Sequence, residues 1–272
     1  MDAATSEDKL HDGRAHDERA MQRVRYETRL RTLTVAGVRQ LTPHLTSVTL
    51  SGDFSGFQSP SFCDHVKLFF PDPVTGVLNL PGGDGAKPIA RDYTPRRFDL
   101  DAQTLDIEFA LHGMGTDCGP ATQWAMTAKA GDTLIIGGPR GSTIIPLAFD
   151  AYLLIGDDTA LPAIARRLEE IPAGGKVIVM AEVDGPEDRM DFMTPAHAQI
   201  HWIYRQTQTL NEALKRMHLP QGDMHAWVAC ESAAAKLIRT QLIDDHGVNP
   251  AYLRASGYWR KGDAGVHDNI DG

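Results

Sequence analysis

The sequence contains only three cysteines, Cys63, Cys118 and Cys230, and none of them stands in a CxxC or zinc-ligand spacing. An odd number of scattered cysteines argues against a disulfide framework and against a structural metal site. The sequence also lacks any run of about 18 apolar residues that could span a bilayer. We therefore expect a chain of the reducing cytoplasm that makes no stable insertion into a membrane and binds no metal.

Basic residues are in deficit. The 27 Lys and Arg residues oppose 36 Asp and Glu residues, which gives a formal net charge of −9, and the basic residues form no block. Proteins that bind nucleic acid or anionic membranes usually have a basic excess, so both classes of partner are disfavoured. If the substrate is nevertheless an anion, the positive charge that attracts it must be local.

Common catalytic signatures are missing as well. The sequence has no GxSxG nucleophile motif, no phosphate-binding loop that ends in GK[ST], no GxGxxG dinucleotide fingerprint and no close cluster of His and Cys. Hydrolase and metalloenzyme functions, and a conventional NAD-binding Rossmann domain, therefore have little support.

The chain changes character near residue 150. Residues 1–25 mix acidic and basic side chains without an apolar segment, which predicts a disordered tail. Residues 26–148 contain short β-like runs such as LRTLTVAGVRQ, LTSVTL and HVKLFF, which predict an antiparallel barrel or sandwich. In TLDIEFALHG the apolar residues alternate strictly, as in a half-buried strand, and ATQWAMTAKA suits a short helix.

Residues 149–272 alternate between apolar strands and amphipathic helices. Strands are predicted at AYLLIG, KVIVMAEV, HWIYR, HAWVAC and AYLRASGYW, and helices at TALPAIARRLEEI, LNEALKRM and SAAAKLIRTQLIDD. This order is typical of a doubly wound parallel sheet. The sequence therefore predicts two domains, an antiparallel β-barrel followed by an α/β domain.

Two strings in the β half could bind a cofactor. Arg91, Tyr93 and Thr94 offer a cation for a diphosphate, a ring to stack on a flat heterocycle and a hydroxyl for its edge, as a flavin requires. An ordinary exposed strand would explain the same alternation. The glycine-rich turn from His112 to Thr122 leads into a helix, whose first amides can hold a pyrophosphate, although it could equally be a plain connection.

Two further strings lie in the α/β half. Gly156 to Ile164 follows the first strand, at the edge where such sheets bind ligands, and Asp158 or Thr159 could simply cap the next helix. After the last strand, Tyr258 and Trp259 could cover a flavin ring or merely seal the edge of the sheet.

These strings together resemble the siderophore-interacting protein family, whose members are FAD-dependent ferric-siderophore reductases of the ferredoxin-NADP reductase superfamily. The resemblance runs from about Arg29 to Lys261. It rests on RDYTPR, on DIEFALHG with GPATQWA downstream, and on GDDTALPAIARRLEEIP, WVACESAAAKLIR and GYWRKG. One departure is the connection from Met114 to Cys118, which is longer than the family usually has.

The resemblance implies an N-terminal six-stranded barrel that binds FAD at residues 26–148 and an NAD(P)H-binding α/β domain at residues 149–272. The residues expected to contact the cofactor are Arg91, Tyr93, Thr94, His112, Gly119, Ala121, Thr122, Thr159, Ala160, Tyr258 and Trp259. The residues expected to attract the ferric siderophore are Lys67, Arg254 and Lys261. No side chain is expected to act as an acid-base catalyst.

The resulting hypothesis is a monomeric enzyme that passes electrons from NAD(P)H through FAD to siderophore-bound Fe(III). A diaphorase with another acceptor and a siderophore-binding protein without turnover are the alternatives. The electron donor stays open between NADH, NADPH and a reduced ferredoxin. Glu182 lies roughly where an acidic residue binds a ribose 2′-hydroxyl and favours NADH, whereas Arg189 and Lys236 could hold a 2′-phosphate.

Overall fold

The computed structural model describes residues 18–113, 118–263, 265 and 268–270. Most of the predicted tail, residues 1–17, and most of the long connection from Met114 to Cys118 lie outside these ranges. The prediction of a disordered tail is wrong for its last residues, because Gln22–Arg25 forms a strand that pairs with Gly141–Ile144. Backbone pairing with a strand 120 residues away fixes this segment on the molecule.

The first half of the chain contains nine strands and one helix. They are Gln22–Arg25 (β1), Leu30–Thr42 (β2), Leu45–Ser51 (β3), Val66–Phe70 (β4), Ile89–Tyr93 (β5), Pro95–Asp99 (β6), Thr104–Ala110 (β7), Pro120–Thr127 (α1), Thr133–Gly137 (β8) and Gly141–Ile144 (β9). Between β4 and β5 residues 71–88 form a largely exposed loop.

Seven of these strands form one curled antiparallel sheet in the order β5-β4-β8-β2-β3-β7-β6. Thr94 alone separates β5 from β6, so the two edges of the sheet are joined by the chain and the sheet curls on itself. The resemblance implied six strands. The seventh strand results from the break between β5 and β6. Pro95 has no N–H to donate at this break, and the register of β6 on β7 shifts between Pro95 and Arg97.

The second half forms an α/β unit. Its elements are Ala151–Asp157 (β10), Leu161–Glu170 (α2), Lys176–Val183 (β11), His197–Tyr204 (β12), Leu210–Leu214 (α3), Met224–Glu231 (β13), Ser232–Asp244 (α4), Leu253–Trp259 (β14) and Asp268–Asn269 (β15). Short 3-10 turns occupy Asp158–Ala160, Pro186–Asp188 and Pro250–Tyr252.

The six strands have the order β12-β11-β10-β13-β14-β15, with β10 to β14 parallel and β15 antiparallel. One apolar cluster joins α2 to one face of the sheet, and a second joins α3 and α4 to the other face. Helices therefore cover both faces, as the sequence predicts. Helix α3 is shorter than predicted because after Leu214 the backbone bonds tighten to i,i+3 spacing, as in Met217 to Leu214.

The two halves meet along α2. The Arg166 guanidinium donates to the Ser59 hydroxyl and to the Pro95 carbonyl, both at 2.9 Å, and Arg96 forms a two-pronged ion pair with Glu169 at 2.7 and 3.2 Å. These contacts hold the curled sheet against the parallel sheet. In the part of the chain that the structure describes, no helix is long and apolar enough to cross a membrane.

Candidate functional site

A cavity of 570 Å³ lies between the two halves of the molecule. Strands β5 and β7, the start of α1, the turn after β10 and the chain after β14 contribute to its wall. Most of the residues predicted to hold a cofactor line it, namely Arg91, Tyr93, Thr94, His112, Gly119, Ala121, Thr122, Thr159, Tyr258 and Trp259. Its volume is in the range of about 300–1,000 Å³ that is usual for ligand and cofactor sites.

The β5 residues present a cation and a ring to this cavity. Arg91 is half-buried, and its guanidinium donates to the adjacent Ala90 carbonyl at 2.8 Å. The Tyr93 ring packs 4.5 Å from Phe109, and burial raises the pKa of its phenol, so the hydroxyl keeps its proton. Thr94 is buried and hydrogen-bonded to Tyr258, which couples the end of β5 to the last parallel strand.

The start of α1 supplies uncharged anion donors. Gly119 caps the helix without a side-chain hydrogen bond, and Pro120 at the first helical position has no N–H. The amides of Ala121 and Thr122 precede the first intrahelical bond of α1, which Gln123 donates to Gly119, and both residues line the cavity. A Cβ at Gly119 would meet only open space, so the backbone at this turn is accessible. The helix dipole adds partial positive charge to this position.

A polar wall separates this cavity from a second one. The His112 imidazole lies 3.2 Å from Asp158, and Asp158 also pairs with Arg205 at 3.2 Å. Burial opposes the protonated form of His112, but the Asp158 carboxylate outweighs it, and the pKa of His112 is raised. The Trp259 indole donates to Asp157 at 2.8 Å.

The second cavity has a volume of 630 Å³ and lies at the carboxyl ends of β10, β11 and β13, between α3 and α4. We call it the α3–α4 groove. Trp259 lines both cavities, so the two ligand sites share a side chain. Sequence reasoning missed this groove because its walls come from five separate segments. The residues that line it are Asp157, Glu182, Arg205, Thr209, Leu210, Asn211, Lys215, Cys230, Glu231, Ala234, Leu237, Thr240, Gln241, Asp244, Asp245 and Trp259.

Three predicted site residues do not line the first cavity. Ala160 has no exposed surface and packs in the core against α2. Lys67 lies one strand away, and its ammonium is paired with Asp92 at 2.7 Å. Arg254 is half-buried on β14 and interacts electrostatically with Cys63 and Tyr258.

The third predicted cation, Lys261, does line the first cavity and is exposed. Its neighbour Arg260 is neutralised by Asp268 at 2.6 Å and by Asp263 at 3.4 Å. Among the described residues Lys261 forms no ion pair, so its charge is not neutralised as the charges of Lys67 and Arg260 are.

Several lining residues were not predicted. They are His65, Asp92, Glu108, Ala110, Gly113, Pro162, Arg260, Gly262, Asp263 and Gly265. Asp92 belongs to the RDYTPR string, and Glu108 stands on the polar face of the alternating strand, so both carried a signal. Burial raises the pKa of Glu108, whose Oε1 lies 3.5 Å from Arg96.

The lining fits a ligand with a flat aromatic part and an anionic tail. Tyr93, Tyr258 and Trp259 provide ring surfaces, while Arg91 and the open start of α1 provide donors for phosphate oxygens. These groups bind and orient a ligand. The chemistry of such a site is therefore that of the bound group.

The chain is similar to known proteins over most of its length. Residues 34–143 match the model of the siderophore-interacting FAD-binding domain, and residues 149–262 match the model of the siderophore-interacting protein. The ferric vibriobactin reductase of Vibrio cholerae is 33% identical over 246 residues, which are 85% of this chain and 90% of that protein.

Two further proteins extend this similarity. The NADPH-dependent ferric-chelate reductase of Escherichia coli is 33% identical over 252 residues, which are 88% of this chain and 96% of that protein. The crystal structure of a siderophore utilization protein from T. fusca is 37% identical, covers 92% of this chain and 99% of its own, and superposes with a TM-score of 0.82.

Proposed function

Since the chain belongs to the siderophore-interacting protein family, we propose that it is a flavin-dependent reductase of ferric siderophores with NAD(P)H as its electron donor. The observation that carries the proposal is the pair of cavities that share Trp259. One cavity suits a cofactor with a flat ring and a diphosphate. The other lies at the sheet edge where nucleotides bind.

FAD is the cofactor of this proposal, and when bound it supplies the conversion of a two-electron donor into one-electron steps, which no amino-acid side chain can perform. Arg91 and the amides of Ala121 and Thr122 would hold its diphosphate. Tyr93 and Trp259 would pack against its rings. The hydrogen bond between the buried Thr94 and Tyr258 fixes the wall between them.

The iron is the substrate and needs no protein ligand. Fe(III) is a hard ion that anionic siderophore oxygens hold tightly, whereas they hold Fe(II) far less tightly, so reduction releases the metal. The protein has to bring an anionic complex to the mouth of the first cavity. Lys261, which is exposed, provides positive charge at this cavity in a chain whose net charge is −9. The free thiols of Cys63, Cys118 and Cys230 suit a cytoplasmic reaction.

A test of this function should not depend on the identity of the electron donor. The FAD-loaded protein is yellow because it absorbs at about 450 nm. It is reduced chemically in the absence of oxygen and then mixed with a ferric siderophore and a ferrous chelator. We expect Fe(II) to form in proportion to the reduced protein. A protein that only binds siderophores would release none. A diaphorase would instead reduce protein acceptors or ferricyanide but not the ferric siderophore.

A further inference from the structure

The α3–α4 groove occupies the switch point of the parallel sheet. From β10 the chain proceeds to β11 and β12 on one side and returns to β13 on the other, so the connections that leave the carboxyl ends of β10 and β13 run in opposite directions beneath the groove. Ligands of open α/β sheets bind at such points. The proposed function requires a pyridine dinucleotide here but leaves open whether it carries a 2′-phosphate.

A buried, unpartnered amide indicates that the groove receives a ligand. Gln241 on α4 lines the groove and is only 6% exposed, and its amide nitrogen has no hydrogen-bond partner among the described residues. A buried donor without an acceptor is costly unless a ligand or water satisfies it. An amide donor can hydrogen-bond a ribose, a base or a phosphate oxygen, so Gln241 marks a ligand site without deciding the charge of the ligand.

The charge of the groove is strongly negative. Five carboxylates line it, those of Asp157, Glu182, Glu231, Asp244 and Asp245, against the two cations Arg205 and Lys215. The helix N-terminus that could have attracted a phosphate is already occupied, because the Glu231 carboxylate accepts from the amides of Ala233 and Ala234 at 2.7 and 3.0 Å.

The cation deepest in the groove is also committed. Arg205 pairs with Asp158 at 3.2 Å, with Glu182 at 3.1 Å and with Asp184. The three carboxylates outnumber the one guanidinium, so this cluster as a whole is negative and disfavours a phosphate dianion. Its geometric effect is to hold the Glu182 carboxylate at the end of β11, where the Leu210 amide also donates to it.

The two cations that the sequence offered for a 2′-phosphate lie elsewhere. Arg189 packs over the Tyr204 ring at 5.2 Å, and Lys236 is an exposed α4 residue whose charge acts on Asp268. Neither lines the groove. Of the three residues that the sequence suggested for the ribose, Glu182, Arg189 and Lys236, only Glu182 lines the groove.

We infer that the α3–α4 groove selects a dinucleotide without a 2′-phosphate, so that NADH is the electron donor, and that Glu182 is the selecting residue. This inference rests on the proposed function. A carboxylate accepts hydrogen bonds from ribose hydroxyls and repels a phosphate ester at the same position. The neighbouring carboxylates of Asp244 and Asp245 add to that repulsion.

The test measures binding of ADP-ribose and of 2′-phospho-ADP-ribose to the FAD-loaded protein by titration calorimetry at low and high salt. We expect ADP-ribose to bind on the order of tenfold more tightly. Because the discrimination is largely charge repulsion, the ratio of the two dissociation constants should shrink as salt rises. Gln241→Met should weaken the binding of both fragments to a similar extent, which would show that both bind in this groove.

Two variants address the cause of selectivity. Glu182→Gln should bring the ratio of dissociation constants close to one. The double variant Asp244→Asn, Asp245→Asn changes two exposed residues at the end of α4 and should tighten the phosphorylated fragment alone. The charge-matched control Asp101→Asn, in the exposed turn between β6 and β7, should leave the ratio unchanged.

Equal or tighter binding of the phosphorylated fragment by the wild type would overturn the inference in favour of NADPH and leave the reductase function intact. Binding of neither fragment would overturn the groove as a dinucleotide site. A ratio that Glu182→Gln does not change would remove Glu182 as the selecting residue. The Fe(II) assay with chemically reduced protein is independent of all three results, so failure of the proposed function is recognised separately.

Discussion

Asp157 and Asp158 are adjacent in the chain, yet their carboxyl groups have opposite acidities. Burial, followed by repulsion from Asp158, raises the pKa of Asp157 to about 6. Burial also disfavours the charged form of Asp158, but His112 and Arg205 outweigh that effect and lower its pKa. The two residues thus make different contacts at the wall between the cavities. Asp157 accepts a hydrogen bond from Trp259, and Asp158 pairs with His112 and Arg205.

This contrast predicts a pH effect on stability. An acid whose pKa is higher in the folded chain than in the unfolded chain stabilises most below its unfolded value of about 4. The contribution of Asp157 is therefore lost as the pH rises through about 6. The free energy of unfolding in urea is measured for Asp157→Asn and for the wild type. The difference between the two should shift in favour of the variant as the pH rises from about 4 to about 7.5.

The neighbouring substitution is the control for this prediction. Asp158→Asn removes an acceptor from His112 and Arg205, so it should be less stable than the wild type at both pH values. If the stability difference between Asp157→Asn and the wild type stayed constant with pH, Asp157 would titrate normally.

The position of Lys261 gives a second prediction at the residue scale. Lys261→Ala should raise the apparent KM for an anionic ferric siderophore by about two- to fivefold at low salt, as expected for the loss of one exposed charge contact. FAD binding, followed by absorption, should be unchanged. Lys176→Ala changes an exposed lysine at the opposite end of the sheet and should leave KM unaltered. An unchanged KM in Lys261→Ala would remove Lys261 from the substrate site.

Among the elements, α4 has an unusual N-terminus. Its cap is a glutamate, although Ser, Thr, Asp and Asn are the common choices. Glu231 satisfies the first amides of α4, and its other oxygen lies 3.4 Å from the backbone amide of Lys261. One carboxylate thus connects the start of α4 with the chain that passes the first cavity.

Removal of this cap should destabilise α4. Glu231→Ala should lower the free energy of unfolding by about 1 kcal/mol, because two helix amides lose their acceptor. Glu231→Asn retains a capping oxygen and should lose less, as measured by chemical unfolding. Equal losses in the two variants would show that the charge of Glu231, and not its capping bond, stabilises the helix.

For the whole molecule, the contacts between the halves determine the shape of the first cavity. Besides α2, the turn between β2 and β3 is held by Asp188, which is only 3% exposed. Its carboxylate accepts from the Thr42 hydroxyl and the His44 amide, both at 3.2 Å, and lies 2.9 Å from the His44 ring. The contact joins residues about 145 positions apart in the chain.

Asp188→Ala should therefore loosen the contact between the halves. We expect a loss of about 1–3 kcal/mol in the free energy of unfolding, because buried donors lose their acceptor. Amide hydrogen exchange at the β2–β3 turn should accelerate. Glu187→Ala alters the exposed neighbouring residue and serves as the control; if it matched Asp188→Ala in both measurements, the buried contact would not be responsible.

Local patterns were sufficient for the fold. Alternation over Thr104–Ala110 and apolar runs such as Ala151–Asp157 reflect the periods of strands with one or two buried faces, so both halves follow from the sequence. The order of the strings also indicated the family. Much of the first cavity was predicted for the same reason, because Arg91, Tyr93 and Thr94 are neighbours in the chain.

Tertiary structure decided what depends on residues far apart in the chain. Glu108, expected on the polar face of its strand, is buried because Arg96 and α2 cover that face. Lys67 is neutralised by Asp92, which is 25 positions away in the chain, whereas Lys261 lines the first cavity as an exposed cation. The α3–α4 groove exists only where the ends of β10, β11 and β13 converge. Sequence alone determined the two kinds of half and most of their core strands and helices, because these depend on local periodicity. Charge balance and burial depend on neighbours in space and were therefore decided by the fold.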